Sequence, residues 1–214
     1  MRKASVDLLK TIFGLDNAFV RACALIYDLM LVNLLFVLTC LPLVTIGVAK
    51  VSLYQAITSR RENSEISIVR VYLMSVKTVF TRGLVLGIGE LLIIGFALFD
   101  LWLIWEQTTF WAQAIKLVSL SVLFFTAMVF LTIYAMGPTS ELTLKEVFKR
   151  GVVQSGLQLP VTIIAMTVLV LVAFLLTLSG ITFLAGMSLL MLGGYAGLVY
   201  GHLYLLTIFT KKGN

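Results

Sequence analysis

Apolar positions along this chain come in long runs rather than in strand-like alternation. Five of the runs reach the length of about 20 residues that a helix needs to cross a hydrocarbon core: residues 24–48, 83–105, 117–136, 160–178 and 181–209. Pro42 lies inside the first and predicts a kink, which neighbouring helices tolerate in a membrane. The fifth run is long enough to require tilt or extension into the interface. Only Ser179 and Gly180 separate it from the fourth, so the two predict a tight antiparallel hairpin. The pattern predicts an all-α polytopic membrane bundle, one domain over residues 1–214, with about five transmembrane helices and amphipathic helices on the cytoplasmic side.

The connecting segments have helical periodicity of their own. Residues 1–22 read as an interfacial segment with Val6, Leu9, Phe13 and Leu15 toward lipid. Between the first two spans, Val69, Leu73, Val76 and Phe80 recur at three- and four-residue steps, with Arg70 and Lys77 turned aside. After the third span, Thr143 and Glu146 have capping-box spacing, and Glu146 with Arg150 forms an i,i+4 ion pair. Both basic segments predict helices lying along the inner membrane surface. They also share Lys-x-Val-Phe-x-Arg-Gly, at residues 77–83 and 145–151, each directly before an apolar run. Thr45-Ile46-Gly47 and Thr132-Ile133-Tyr134 lie near the ends of the preceding runs. These matches suggest a duplicated unit of span, basic helix and span over 24–105 and 117–178, with convergence of two juxtamembrane segments as the competing reading.

Composition supports the membrane class. Of the 214 residues, 60% are apolar and only 12% charged, and the mean hydropathy is +1.07. A soluble domain carries about 25% charge. The net charge of +6 raises nucleic acid as a partner, but the basic residues cluster beside apolar runs and form no basic groove motif. Topology and attraction to anionic membrane lipids explain the charge without nucleic acid. The first apolar run starts after more than twenty residues and lacks a small-x-small exit, so no cleavable signal peptide is expected. Cys23 and Cys40, the two cysteines, lie roughly 25 Å apart on one helix and cannot bridge within the chain.

Charge also predicts orientation. Lys50, Arg60, Arg61, Arg70, Lys77 and Arg82 share one side with Lys145, Lys149, Arg150, Lys211 and Lys212; Arg2, Lys3, Lys10, Arg21 and Lys116 fall on the other. The larger group should be cytoplasmic, which places the N-terminus outside. A first span re-entrant at Pro42 would place it inside instead. Trp102, Trp105 and Trp111 cluster around the loop between the second and third spans and mark the outer interface.

An ionisable residue inside a span is costly and is a functional candidate by default. Asp28, Glu90, Asp100 and His202 qualify. Glu90 and His202 each lie about 10 Å inside the cytoplasmic edge by residue count, so the two can meet, either to carry protons or bind a solute or as a static interhelical bond. Asp28 and Asp100 fall near the outer edge with Lys116, and Asn33 lies deeper, placed to hydrogen-bond another helix. Gly193, Gly197 and Gly201 form a small-residue stripe suited to helix packing within the chain or between copies in a homo-oligomer. The candidate cytoplasmic docking surface is Arg70, Lys77, Arg82, Lys145, Lys149 and Arg150. There is no phosphate-binding loop, no paired metal-binding histidines and no serine-nucleophile motif, so no enzyme activity, metal or cofactor is expected.

The run Asn33-Leu34-Leu35-Phe36, then Leu41-Pro42-Leu43-Val44-Thr45-Ile46-Gly47-Val48-Ala49, then Leu53-Tyr54 resembles the YesL-like family of small bacterial membrane proteins. The likeness continues through Arg60-Arg61-Glu62, Ser67-Ile68 and Phe80 to Asp100, and covers roughly residues 13–100. Family members often have proline after the glycine of Thr-Ile-Gly, where Val48 stands here. The resemblance implies a multi-pass protein of the bacterial cell membrane, with undefined molecular function and genes often beside those for carbohydrate uptake and degradation. It carries no catalytic residues. The resulting expectation is a non-enzymatic accessory component of carbohydrate uptake, docking a sugar permease or its ATPase through the basic helices. The alternative is a small transporter or channel for a solute or protons, using Glu90 and His202.

Overall fold

The computed structural model describes residues 18–63, 66–137 and 143–212, and all regular structure in them is helical. In chain order the helices are α1 (Ala18–Cys40), α2 (Ile46–Glu62), α3 (Ile68–Leu103), α4 (Phe110–Met136), α5 (Leu144–Leu157), α6 (Leu159–Thr177), α7 (Gly180–Leu189) and α8 (Tyr195–Lys212). Five stretches are long and apolar enough to cross a membrane: Phe19–Cys40, Ile68–Leu103, Phe110–Met136, Leu159–Thr177 and Gly180–Phe209. The molecule is an all-α, multi-pass membrane bundle. The interfacial helix expected at the N-terminus, with Val6, Leu9, Phe13 and Leu15, lies outside the described residues.

The first apolar run is not one kinked span. Proline has no backbone N–H, and the chain breaks at Pro42. A single 3₁₀ turn, Leu43–Thr45, follows. The Thr45 hydroxyl donates to the Pro42 carbonyl at 2.7 Å and also to the Thr39 carbonyl, taking up backbone oxygens that the ended helix leaves free. The chain then reverses. Arg60 Nε lies 2.6 Å from Asp28 Oδ2, joining the far end of α2 to α1, so the two helices form an antiparallel hairpin. Asp28 is therefore a hairpin clamp at the end where α2 finishes, not an outer-interface charge.

Helix α3 reverses direction once more. The Ser75 hydroxyl bonds Gln55, while Gly83 and Gly87 meet Gly47 and Val48, a register that only antiparallel helices produce. Two reversals leave α1 and α3 parallel, so Ala18 and Ile68 lie at the same end of the bundle. The start of α1 thus lies at the basic end, whereas the charge count sets it at the opposite end. Arg21, Arg60, Arg61, Arg70 and Lys77 now share an end with the α4–α6 connection, which holds Lys145, Lys149 and Arg150. Among the described residues Lys116 is the one basic residue at the tryptophan end, where its Nζ donates to the carbonyls of Trp105 and Gln107 at 2.7 and 2.9 Å. The positive-inside rule predicts the cytoplasm at the basic end.

Helix α2 is the centre of the fold. Lys50, Gln55, Arg60, Arg61 and Glu62 make its sequence too polar for a lipid-facing span, yet nine residues between Gly47 and Ile57 are buried, on every side of the helix. It packs against α1, α3, α4 and α8. Its closest neighbour is α3, and the approach is made by glycine on both sides. A Cβ at Gly47 would lie 2.5 Å from Gly87 Cα, and one at Gly87 would lie 2.7 Å from Gly47 Cα. Such contacts matter in lipid, where burial of apolar area between helices gains little and tight packing with interhelical bonding replaces it.

Helix α3 has 36 residues, about 54 Å at 1.5 Å per residue, well beyond the ~30 Å of a hydrocarbon core. The basic segment 68–82 thus continues the axis of the span and does not lie as a separate helix on the membrane surface. Its buried face is Ile68, Tyr72, Ser75 and Val79; of the expected apolar stripe, Leu73 and Phe80 are exposed. Helix α5 is separate but joins α6 through one residue, Gln158. The Thr143 N–H and hydroxyl donate to the Glu146 carboxylate at 2.8 and 2.7 Å, closing the expected capping box. These bonds hold the Glu146 carboxyl below its ordinary pKa. Both Lys-x-Val-Phe-x-Arg-Gly segments therefore lie in helices leading into apolar spans, and each ends on a glycine packed against the helix before it: Gly83 on Val48 of α2, Gly151 on Ile133 of α4. Their settings differ, because α2 interposes a whole antiparallel helix that has no counterpart between α4 and α5.

The fifth run is also broken. A π-helical turn, Leu190–Gly194, separates α7 from α8, and Asn33 of α1 fills the break. Its amide nitrogen donates to the carbonyls of Leu190 and Met191 at 2.9 and 2.7 Å, and its oxygen accepts from the Ala196 N–H at 2.9 Å. The sequence-based expectation that Asn33 bonds another helix is met at the point where a helix has lost its own bonds.

Adding one methyl group at the α2–α3 seam should separate the helices. Gly47→Ala or Gly87→Ala is expected to destabilise the protein by about 1–3 kcal/mol or more, the range for overpacking. Gly89→Ala, whose Cβ meets nothing within 4 Å, should leave thermal unfolding of the purified protein unchanged. Equal melting behaviour of all three variants would dispose of the seam.

Candidate functional site

Each of four helices brings one stripe of residues to a common space. On α2, Lys50 and Tyr54 are four apart and share a face. Helix α4 contributes Ala127, Leu131 and Tyr134; α6 contributes Ala165, Val168 and Leu169; α8 contributes Gly197, Leu198, Gly201, His202 and Leu205. With Glu90 from α3 and Tyr195 at the head of α8, they enclose a cavity of about 520 Å³, well inside the ~300–1,000 Å³ of small-molecule sites.

The polar groups gather at one pole. Lys50 Nζ lies 2.8 and 2.9 Å from the two Glu90 oxygens. The Tyr134 hydroxyl donates to Glu90 Oε2 at 2.6 Å, and the Lys50 ammonium sits 5.1 Å from the centre of the Tyr134 ring. Both charges of the pair are thus neutralised and hydrogen-bonded, which a buried pair requires. Beside them the Tyr54 hydroxyl and His202 Nδ1 are 3.1 Å apart. Tyr195 stacks on Phe36 of α1, ring centres 4.6 Å apart. The remaining walls are apolar.

Glu90 and His202, the two residues singled out from sequence, line the same cavity, but they do not bond each other. Lys50 and Tyr134 take Glu90, and Tyr54 takes His202. Sequence reasoning assigns Lys50 to the cytoplasmic basic loop because it stands just past an apolar run; the hairpin carries it back into the bundle. The signal that could have found it is Gly47, three residues earlier, which marks the head of α2 as a place of close backbone approach, together with Tyr54 one turn beyond Lys50.

The glycine stripe divides. Gly193 sits at the break and approaches Met30, with 3.4 Å from its would-be Cβ to Met30 Cγ. A Cβ at Gly197 or Gly201 would meet nothing within 4 Å. Within the chain these two do not pack helices; they leave room in the cavity wall. Close packing by glycine occurs instead at Gly47, Gly83 and Gly87. Among the described residues no three His, Cys, Asp or Glu side chains converge as a metal site would require.

The basic residues lie apart from the cavity. Arg70 and Lys77 are exposed on α3, Lys145, Lys149 and Arg150 are exposed on α5, and Arg82 is half-buried. Helix α5 buries Val147, Gly151 and Ser155 along one face and leaves Phe148, Val153 and Leu157 exposed beside its charges, the composition of a helix seated at a membrane surface.

Breaking the ion pair from one side should cost more than removing it whole. Lys50→Met leaves Glu90 with only the Tyr134 hydroxyl and is expected to destabilise by about 3 kcal/mol, the low end for a buried pair, because the Lys50 side chain keeps 21% of its exposure. The double variant Lys50→Met/Glu90→Met should recover most of that loss. Thermal unfolding in nanodiscs reads both, and simple additivity of the two changes would show the charges to be uncoupled.

Residues 29–101 match the family model described as "Protein of unknown function, DUF624". The match runs from within α1 through the hairpin to the end of α3. It includes Asn33, Lys50, Tyr54 and Glu90, while Tyr134, Tyr195 and His202 lie beyond it. No curated protein and no solved structure matches the chain. Across roughly a third of its length, in the part that carries the ion pair, this membrane bundle is similar to a family of unknown function.

Proposed function

We propose that the chain is a non-enzymatic membrane protein that binds a small molecule inside its bundle, between α4, α6 and α8. The carrying observation is the cavity with its single polar pole. Lys50, Glu90, Tyr54 and His202 supply recognition there, and Gly197 and Gly201 supply the space. A bundle needing only stability gains nothing from glycines that pack against nothing. Nor does it need a buried ion pair, since apolar residues of similar volume are often as stabilising. A binding site uses both. Of the two functions expected from sequence, this favours the solute-handling one, with the Glu90–Lys50 pair replacing a Glu90–His202 pair.

Native mass spectrometry of the protein released gently from its own membrane tests the reading. The wild type should carry a bound small molecule. Gly201→Leu, whose Cβ would meet nothing within 4 Å and whose side chain would take up cavity space, should lose it while keeping its melting temperature. A bound mass that survives Gly201→Leu, or none in the wild type, counts against it.

A second reading draws on a different surface. The exposed lysines and arginine of α5, set beside exposed Phe148, Val153 and Leu157, suit docking at the cytoplasmic face. The likeness to the YesL-like family favours an accessory role in carbohydrate uptake, in the bacterial cell membrane. On this reading a sugar permease or its ATPase co-purifies with the chain. Charge reversal at Arg70, Lys77, Lys145 and Lys149 should release that partner, whereas recovery of the chain alone from mild detergent would argue for lipid contact only.

A further inference from the structure

We infer that the cavity takes a neutral amphiphile, a molecule with an uncharged hydroxyl-bearing head and an alkyl chain, which enters sideways from the bilayer. The inference rests on the binding reading above and specifies its ligand class.

Charge is the first argument. Among the described residues Lys50 and Glu90 are the only fully charged groups on the cavity wall, and each is already committed to the other at 2.8 and 2.9 Å. An anionic head would compete with Glu90 for Lys50, and a cationic head would compete with Lys50 for Glu90. Either leaves one buried charge without its partner, the costliest arrangement at low dielectric. A neutral head leaves the pair intact.

Hydrogen bonding is the second. The pole is surrounded by phenols and an imidazole, from Tyr54, Tyr134, Tyr195 and His202, groups that both donate and accept. Hydroxyls do the same, so a head carrying one or more of them can bond in either sense without displacing the ion pair.

Shape and access complete the case. The lining also includes the apolar Leu131, Val168, Leu169 and Leu205 and the small residues Ala127, Ala165, Gly197 and Gly201. These small residues, from three helices, leave space that an alkyl chain can fill. The cavity lining reaches the surface at Val168, 38% exposed, and at exposed Gly197. Val168 stands at the middle of the 19-residue α6, and its exposed neighbours Ile164 and Leu171 are lipid-facing. The opening therefore lies at hydrocarbon depth. A molecule that arrives through acyl chains must itself be largely apolar, which a free sugar is not.

Radiolabelled monolaurin, a neutral glyceride, is the probe for the full chain in phosphatidylcholine nanodiscs, with empty nanodiscs as background. Saturable binding is expected. Unlabelled monolaurin should displace the label at least about tenfold better than laurate or dodecyltrimethylammonium, which share its chain length but carry charge. Free glycerol should not compete. Glu90→Gln, which leaves Lys50 uncompensated, should narrow the margin for laurate and not for the cation. Gly201→Leu and, from the opposite wall, Ala165→Phe should each abolish saturable binding; using two variants guards against one that fails to fold. Equal displacement by laurate overturns the neutral class while leaving the cavity as a site. Competition by free glycerol overturns the amphiphile. No saturable monolaurin binding, in a protein that still carries another bound molecule lost in Gly201→Leu, overturns the ligand class alone. Monolaurin binding unchanged in both cavity-filled variants places the ligand elsewhere and overturns the inference, while a co-purifying molecule lost in Gly201→Leu would still uphold the binding reading.

Discussion

The close approach of α2 to α3 is the constraint on which the rest of the molecule depends. Gly47, Gly83 and Gly87 let two backbones meet where any side chain would hold them apart. Because α2 lies that near, Lys50 reaches Glu90, and Tyr54, one turn on, faces His202 on α8. The ion pair then fixes which face of α3 looks inward, and Tyr134 of α4 closes on the same carboxylate. In a membrane this order of cause is expected, since apolar area alone does not bring helices together; packing of small residues and interhelical polar bonds do.

The broken helices serve the same end. Pro42 ends α1, and the chain returns as α2 into the centre of the bundle; Gly193 and its π-turn redirect the last span so that α8 lies along α2. Each break frees backbone polar groups that lipid cannot satisfy. Thr45 answers the first and Asn33 the second. Arg61, from the end of α2, donates to Thr207 at 2.9 Å and lies over the Tyr200 ring, anchoring the redirected α8. Irregular backbone at membrane depth needs its freed polar groups bonded by protein, and at each break a side chain supplies that bond.

The bundle separates two kinds of surface. The exposed charges of α3 and α5 belong to the basic end. The Lys50 and Glu90 charges belong to the cavity and balance each other there. The large positive net charge therefore says nothing about the candidate site, which is neutral as a whole.

What the sequence by itself determined is the class of protein and the elements in contact with lipid. Long apolar runs have one solution in a bilayer, so an all-α bundle with five long apolar stretches was legible, as were the tight turn at Ser179 and the cap at Thr143. Glu90 and His202 were legible because an ionisable residue in an apolar run stands out against its neighbours. Only the tertiary structure decided the path of the first hundred residues. Helix α2 has no lipid-facing side, so it carries no apolar stripe for sequence to show, and Lys50 looks like any juxtamembrane lysine until Gly47 is known to lie on Gly87. The same holds for Gly197 and Gly201. A glycine that permits close packing and one that leaves a space are identical in sequence, and what lies opposite them belongs to the fold.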